Sequence, residues 1–174
     1  MIYIPWIVLT VVWALGALAG KKTVRREGLG ERGLHILGSL LAFGLLFSAP
    51  GALAPMVYRG IGFVFSAAGI AFAIWARVLL GTNWSGLVTL KEGHELVRRG
   101  PYRIVRHPIY SGALVAMLGT ALWFGSARCF AGVAVAFFTW WKKSRIEESF
   151  LVDFFGDQYR RYQREVRALI PGLL

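Results

Sequence analysis

Ile2 to Gly20 contains no charged residue, and four more apolar runs follow it: Leu34 to about Leu53, Gly60 to Gly81, Ile109 to Phe124 and Ala127 to Trp141. Runs of about 17–25 such residues match the hydrocarbon thickness of a bilayer. Arg77 alone interrupts the third run, Pro50 softens the end of the second, and Gly125-Ser126 makes a tight turn between the last two. Those last two are slightly short, which leaves a re-entrant hairpin open as well as two full crossings. With 56% of 174 residues hydrophobic and 17% charged, against about 25% charged in soluble domains, a soluble fold cannot hide this much apolar surface. Disorder is excluded by the same numbers. The expected fold class is all-α: a polytopic membrane protein of about five transmembrane helices with a cytoplasmic C-terminal helical tail. It forms one domain over 1–174, with three spans in 1–81 and a loop, a helical hairpin and the tail in 82–174. No β-strand is clearly signalled.

The first run could be read as a cleaved leader, since Ala17-Leu18-Ala19 resembles a cleavage site. No Lys or Arg precedes it, however, and Lys21-Lys22 follow directly, which favours a retained helix. Of the 20 basic residues, seventeen fall in 21–35, 82–107 and the tail, while Arg59 and Arg128 alone occupy the other two loops. Positive charge concentrates on the cytoplasmic side, so the N-terminus is expected outside and the large loop and tail inside. A basic surface facing anionic lipid accounts for the +11 formal charge better than nucleic acid does. The single cysteine, Cys129, can form no internal disulfide.

In the tail, helix is expected to continue from Trp140 to Phe155, Gly156 to end it in a left-handed cap, and Asp157 to cap a second helix. That helix carries Tyr159, Tyr162 and Val166 on one face and Arg160, Arg161, Arg164 and Arg167 over the rest. It suits either an anionic bilayer surface or a solvated basic face. Gly28-Leu29-Gly30-Glu31-Arg32-Gly33 has the spacing of a dinucleotide-binding loop but lacks the preceding strand, and reads as a flexible cytoplasmic connection. Gly16 and Gly20 suit close helix approach within the bundle or, less well, between copies. Arg77 lies about a turn from the cytoplasmic end of its span, where it serves either function or snorkelling anchorage.

Chemistry concentrates in His94 to Gly112, where two histidines, two tyrosines, several arginines and two prolines meet the start of the fourth span. Pro108 suits the first turn of a helix and pushes His107 towards an extended conformation, aiming its ring off the helix start. The helix N-terminus there favours an anion such as a carboxylate. Glu147 and Glu148 follow the fifth span among Lys142, Lys143 and Arg145. Such carboxylates either pair within the helix, as Lys143 and Glu147 can at four-residue spacing, or receive a cationic ligand. His35, His94 and His107 lack metal-ligand spacing, and no nucleophile elbow points to a hydrolase.

His94-x-Leu96-Val97, Gly100-x-Tyr102, Arg106-His107-Pro108-x-Tyr110-x-Gly112, Glu147-Glu148 and Phe154-Phe155-Gly156-x-x-Tyr159-x-x-Tyr162 occur in order, followed by Pro171. In these residues the chain, over roughly 75–171, resembles the isoprenylcysteine carboxyl methyltransferases and the related phospholipid N-methyltransferases. The resemblance implies S-adenosylmethionine as methyl donor and a pocket built from His94, Leu96, Val97, Tyr102, Arg106, His107, Pro108 and Tyr110. It further implies that Glu147, with Glu148, holds the donor's ammonium, and that Lys143, with Arg145 nearby, positions the acceptor where the family carries an arginine. Lysine lacks the planar fork that grips a carboxylate, so carboxyl methylation of an isoprenylcysteine-like compound stands beside N-methylation of a lipid amine. The expected partners are a lipophilic small-molecule acceptor and membrane lipid, and the expected setting is a prokaryotic cytoplasmic membrane. An NADPH-dependent, sterol-reductase-like oxidoreductase and a non-catalytic membrane scaffold are the competing readings.

Overall fold

The computed structural model describes residues 1–17, 23–26, 28–48, 54–81, 89–91 and 95–173. In chain order these form α1 (Tyr3–Ala17), β1 (Thr23–Arg26), α2 (Leu29–Leu46), α3 (Met56–Leu80), β2 (Thr89–Lys91), a 3-10 turn (Gly100–Arg103), α4 (Pro108–Phe124), α5 (Ala127–Phe155) and α6 (Asp157–Glu165). Among the described residues the regular elements are helical apart from β1 and β2, which pair antiparallel with Arg26 opposite Thr89. Sequence reading found no strand because three or four residues are too few to display a period of two.

Two antiparallel helix pairs make the body. In the first, Gly62 and Gly69 of α3 face Gly119 and Gly112 of α4, so closely that an added Cβ at any of the four would overlap backbone of the partner helix. Ser66, Ala73 and Ala116 continue this buried seam. In the second pair, Gly38 of α2 lies against Thr139 of α5, and Gly132 of α5 against Ala42 and Leu46 of α2. The remaining helix, α1, packs Trp6 edge-on to Phe43 at 5.5 Å and donates its indole N–H to Thr120 Oγ1 at 2.9 Å.

The outer surface is far more apolar than that of a water-soluble protein. Gly62, Ser66 and Thr120 lie inside, whereas Ile7, Leu37, Leu40, Val64 and Val78 are each more than 60% exposed. Small residues at helix contacts and large apolar residues on the outer surface are what a lipid solvent selects, since hydrocarbon gives leucine no reason to turn inward. The chain is an integral membrane protein by this pattern. Among the described residues, α2 and α3 are long and apolar enough to cross a bilayer, and Tyr3–Gly16 and Pro108–Phe124 form shorter apolar helices.

Several local expectations change. The glycine-rich segment is not a loose connection: α2 begins at Leu29, five residues before the expected Leu34, and Glu31 sits in its first turn where the helix dipole favours a carboxylate. The Arg77 side chain is turned into the bundle. It is buried and donates from Nη1 to Gly81 O at 2.9 Å and from Nη2 to Gly16 O at 2.8 Å, serving carbonyls at the C-terminal ends of both α3 and α1. Gly16 is small for this purpose, because a Cβ there would strike the guanidinium; Gly20 lies outside the described residues. The α4–α5 connection is the expected tight turn, with Gly125 left-handed at φ 65°, ψ 21°.

Phe155 ends α5 as expected, but Gly156 adopts φ 55°, ψ −129°, a glycine-favoured region distinct from the left-handed helical cap. Gly156 itself is the N-cap of α6, and Asp157 is its first helical residue, paired with Arg160 at 2.9 Å. The tyrosine face of α6 meets protein, not lipid: Tyr159 and Tyr162 are buried, and Tyr162 donates to Tyr102 O at 2.5 Å. Its arginines 160, 161 and 164 remain exposed.

Candidate active site

Pro108 occupies the first position of α4 and His107 its N-cap, at φ −120°, ψ 61°. The ψ falls short of the full extension expected of a residue before proline. Arg106 N–H donates to Arg167 O at 2.8 Å and His107 N–H to Ala168 O at 3.0 Å. Ser111 Oγ donates to Leu169 O at 2.6 Å. The segment after α6 is thereby laced to the start of α4, and the His107 ring turns back onto α5.

On α5, residues 140, 143, 144, 147 and 148 recur at helical spacing and form one stripe facing that ring. Trp140 stacks on Tyr110 at 6.0 Å and 23°, and Tyr110 stacks on His107 at 5.6 Å and 11°. Tyr110 Oη donates to Glu147 Oε2 at 3.0 Å, and Lys143 Nζ lies 5.6 Å from the centre of the Tyr110 ring. His107 Nδ1 is 3.7 Å from the same Glu147 oxygen. The stretch leading into α4 and the acidic pair on α5 therefore share one site.

The two glutamates are not equivalent. Glu147 keeps 36% of its side chain exposed and Glu148 only 4%. Arg106 reaches Glu148 Oε1 from Nε at 2.8 Å and from Nη2 at 2.7 Å. His107 Nε2 adds a contact to Oε1 at 3.1 Å, and Gln163 Nε2 donates to Oε2 at 3.0 Å. Burial alone would raise the Glu148 carboxyl, but the hydrogen bonds and charges of His107 and Arg106 outweigh it and hold it down at about 2. Arg106 Nη1 also donates to Gln163 O at 3.1 Å and to Val166 O. A polar cluster so fully satisfied is rigid.

The other sequence candidates sit at the margins. Tyr102 is buried in the 3-10 turn with its hydroxyl 3.4 Å from Ala76 O, and burial, reinforced by the Glu147 charge, pushes its phenol well above the ordinary value. Leu96 and Val97 are half-buried in the irregular segment before it. Arg145 is 64% exposed, 3.7 Å from Glu148 Oε2. His94 lies outside the described residues. Among the described residues no His, Cys, Asp and Glu cluster could hold a metal ion. Sequence reading missed Trp140, which the α5 stripe could have revealed, and Gln163, for which no local signal exists.

A buried guanidinium–carboxylate–imidazole cluster beside a half-open carboxylate and stacked aromatics, at the end of a membrane helix bundle, defines a membrane protein with a site suited to a small cationic ligand. The chain belongs to the phospholipid methyltransferase family, whose model matches residues 57–158. It is 39% identical over 101 residues, 55% of this chain and 42% of the other, to a protein-S-isoprenylcysteine O-methyltransferase of Schizosaccharomyces pombe. It is also 39% identical over 70 residues, 40% of this chain and 24% of the other, to methanethiol S-methyltransferase 1 of Bradyrhizobium diazoefficiens. A solved eukaryotic intramembrane Ras methyltransferase, isoprenylcysteine carboxyl methyltransferase, superposes with a TM-score of 0.61 at 27% identity, covering 84% of this chain and 54% of that one. The chain spans about half the length of the Schizosaccharomyces pombe relative and of the solved structure.

Proposed function

We propose that the protein transfers a methyl group from S-adenosylmethionine to a lipophilic acceptor at the cytoplasmic membrane face. Five crossings, with the N-terminus outside, are supported by the five apolar runs and the alternation of basic residues between the loops. The observation that carries the reading is the convergence of Tyr110, His107 and the half-exposed Glu147 where α4 begins beside α5. The residues suit the donor's chemistry: Glu147 for an ammonium, and the apolar helix ends for the rest. When bound, the donor supplies an electrophilic methyl whose bond to sulfur breaks as the acceptor's nucleophile bonds to carbon, leaving a neutral thioether.

The chain's own contribution is alignment and exclusion of water, since direct displacement needs no covalent enzyme intermediate. Glu147 takes the ammonium, and Tyr110, by donating to Glu147 at 3.0 Å, fixes that carboxylate's orientation. Lys143, above the same ring, draws an anionic acceptor towards the site. The names of the relatives favour a prenylated cysteine carboxylate, carried on a protein in the Ras methyltransferase, over a free small molecule. Methylation of a lipid amine is the second acceptor class, favoured by the lysine where a carboxylate-gripping fork would serve better.

The test is transfer of labelled methyl by the protein in lipid nanodiscs. The acceptors are an N-acetyl S-prenylcysteine, a lipid amine and a small thiol, each compared with Glu147→Gln. Base-labile incorporation into the prenylcysteine is the expected result. No incorporation into any acceptor, with no calorimetric binding of S-adenosylhomocysteine, refutes the assignment.

A further inference from the structure

The geometry points to Glu148, and to Gln163 of the C-terminal helix, as positioning residues that dictate which ring nitrogen of His107 carries a proton and turn the other towards Glu147. The consequence for ligand affinity rests on the reading of this site as the methyl donor's; the ring chemistry does not.

Glu148 is enclosed and ionised, so it can only accept hydrogen bonds. His107 Nε2, 3.1 Å from its Oε1, must therefore be the N–H donor. Nδ1 then faces Glu147 Oε2 at 3.7 Å, beyond direct hydrogen bonding. A ring nitrogen and a carboxylate held side by side are two acceptors for the N–H groups of one ammonium. Stacking on Tyr110 at 5.6 Å holds the ring plane but leaves rotation within it undecided. That choice falls to Glu148.

What holds Glu148 is split between its two oxygens. Oε1 is taken by Arg106 and His107, while Oε2 has its hydrogen bond from Gln163 at 3.0 Å, with Arg145 farther off at 3.7 Å. Without the Gln163 amide, Oε2 keeps only the distant Arg145, and the carboxylate can pivot about its Arg106 contacts on Oε1 and turn off the imidazole. The same residue is fastened a second time, through its carbonyl on Arg106 Nη1 at 3.1 Å. Through this residue, α6 sets the ring that faces the open side of the site.

The experiment is nitrogen-15 NMR of ring-labelled histidine in the nanodisc-embedded protein. There are three histidines, and His107 is assigned through His107→Gln. Spectra are recorded at about pH 8.5, where the two neutral tautomers and the doubly protonated ring each give a distinct pattern. Wild type and the exposed-site control Gln158→Leu should show the proton on Nε2. The paired variant Arg106→Met/Glu148→Leu, which removes the acceptor without leaving a lone buried charge, and Gln163→Leu should each populate the Nδ1–H form, and Gln163→Leu should weaken S-adenosylhomocysteine binding about tenfold. A wild-type proton on Nδ1 or on both ring nitrogens, or ring signals unmoved in both variants, overturns the proposal. Should Gln163→Leu fail to fold, the paired variant and the wild-type pattern still decide it. Correct ring behaviour in a wild type that does not bind S-adenosylhomocysteine would sink the donor-site reading alone.

Discussion

Replacing Arg106 by Met removes one side of an ion pair whose side chains are 7% and 4% exposed. Glu148 loses N–H donors at 2.8 and 2.7 Å, and the carbonyls of Gln163 and Val166 lose theirs. Breaking a buried pair from one side costs about 3–5 kcal/mol, because a charge stays behind where water cannot reach it. Orphaned carbonyls add to that, so Arg106→Met should lose about 5 kcal/mol. Glu148→Gln should cost less, about 2–3 kcal/mol, since Arg106 keeps two carbonyl acceptors and the amide oxygen can still receive His107. The double variant leaves neither charge buried alone, and its loss should fall about 2 kcal/mol short of the sum. Unfolding in mixed micelles, followed by the fluorescence of the seven tryptophans, measures all three. Losses that add within about 0.5 kcal/mol would mean the two groups are not coupled, and the reasoning would fail.

The Glu148 carboxyl, at about 2 in the folded protein against an ordinary 4.5, contributes stability that is complete above about pH 4.5 and drains away as pH falls through 2. The loss amounts to about 3 kcal/mol, and a Glu148→Gln profile should be flatter over that window. Glu147→Gln should leave stability within about 1 kcal/mol, because the side chain is 36% exposed. It should nevertheless abolish S-adenosylhomocysteine binding in calorimetry. Gly112→Ala places a Cβ 2.9 Å from Ala73 N across the α3–α4 seam and should cost about 1–3 kcal/mol of thermal stability. Gly44→Ala, with nothing within 4 Å, should be neutral or stabilising by up to about 1 kcal/mol in the same melts.

The positions of the main helices were legible because an apolar run is a local property: any stretch that must satisfy its backbone in lipid becomes a helix. The start of α4 was legible for the same reason, since Pro108 tolerates only a first-turn position and constrains His107 beside it. The acidic pair stood out because charge beside a bilayer needs a partner. Sequence could not say which glutamate faces ligand. Neighbours on a helix point about 100° apart, and their surroundings depend on Tyr110 and His107, 37 and 41 residues away. Nor could it orient α6, because lipid and protein are equally good apolar partners for Tyr159 and Tyr162. Only packing, which set that face on the loop before α4 and brought Gln163 within 3.0 Å of Glu148, decided which carboxylate is sealed inside and which is left open.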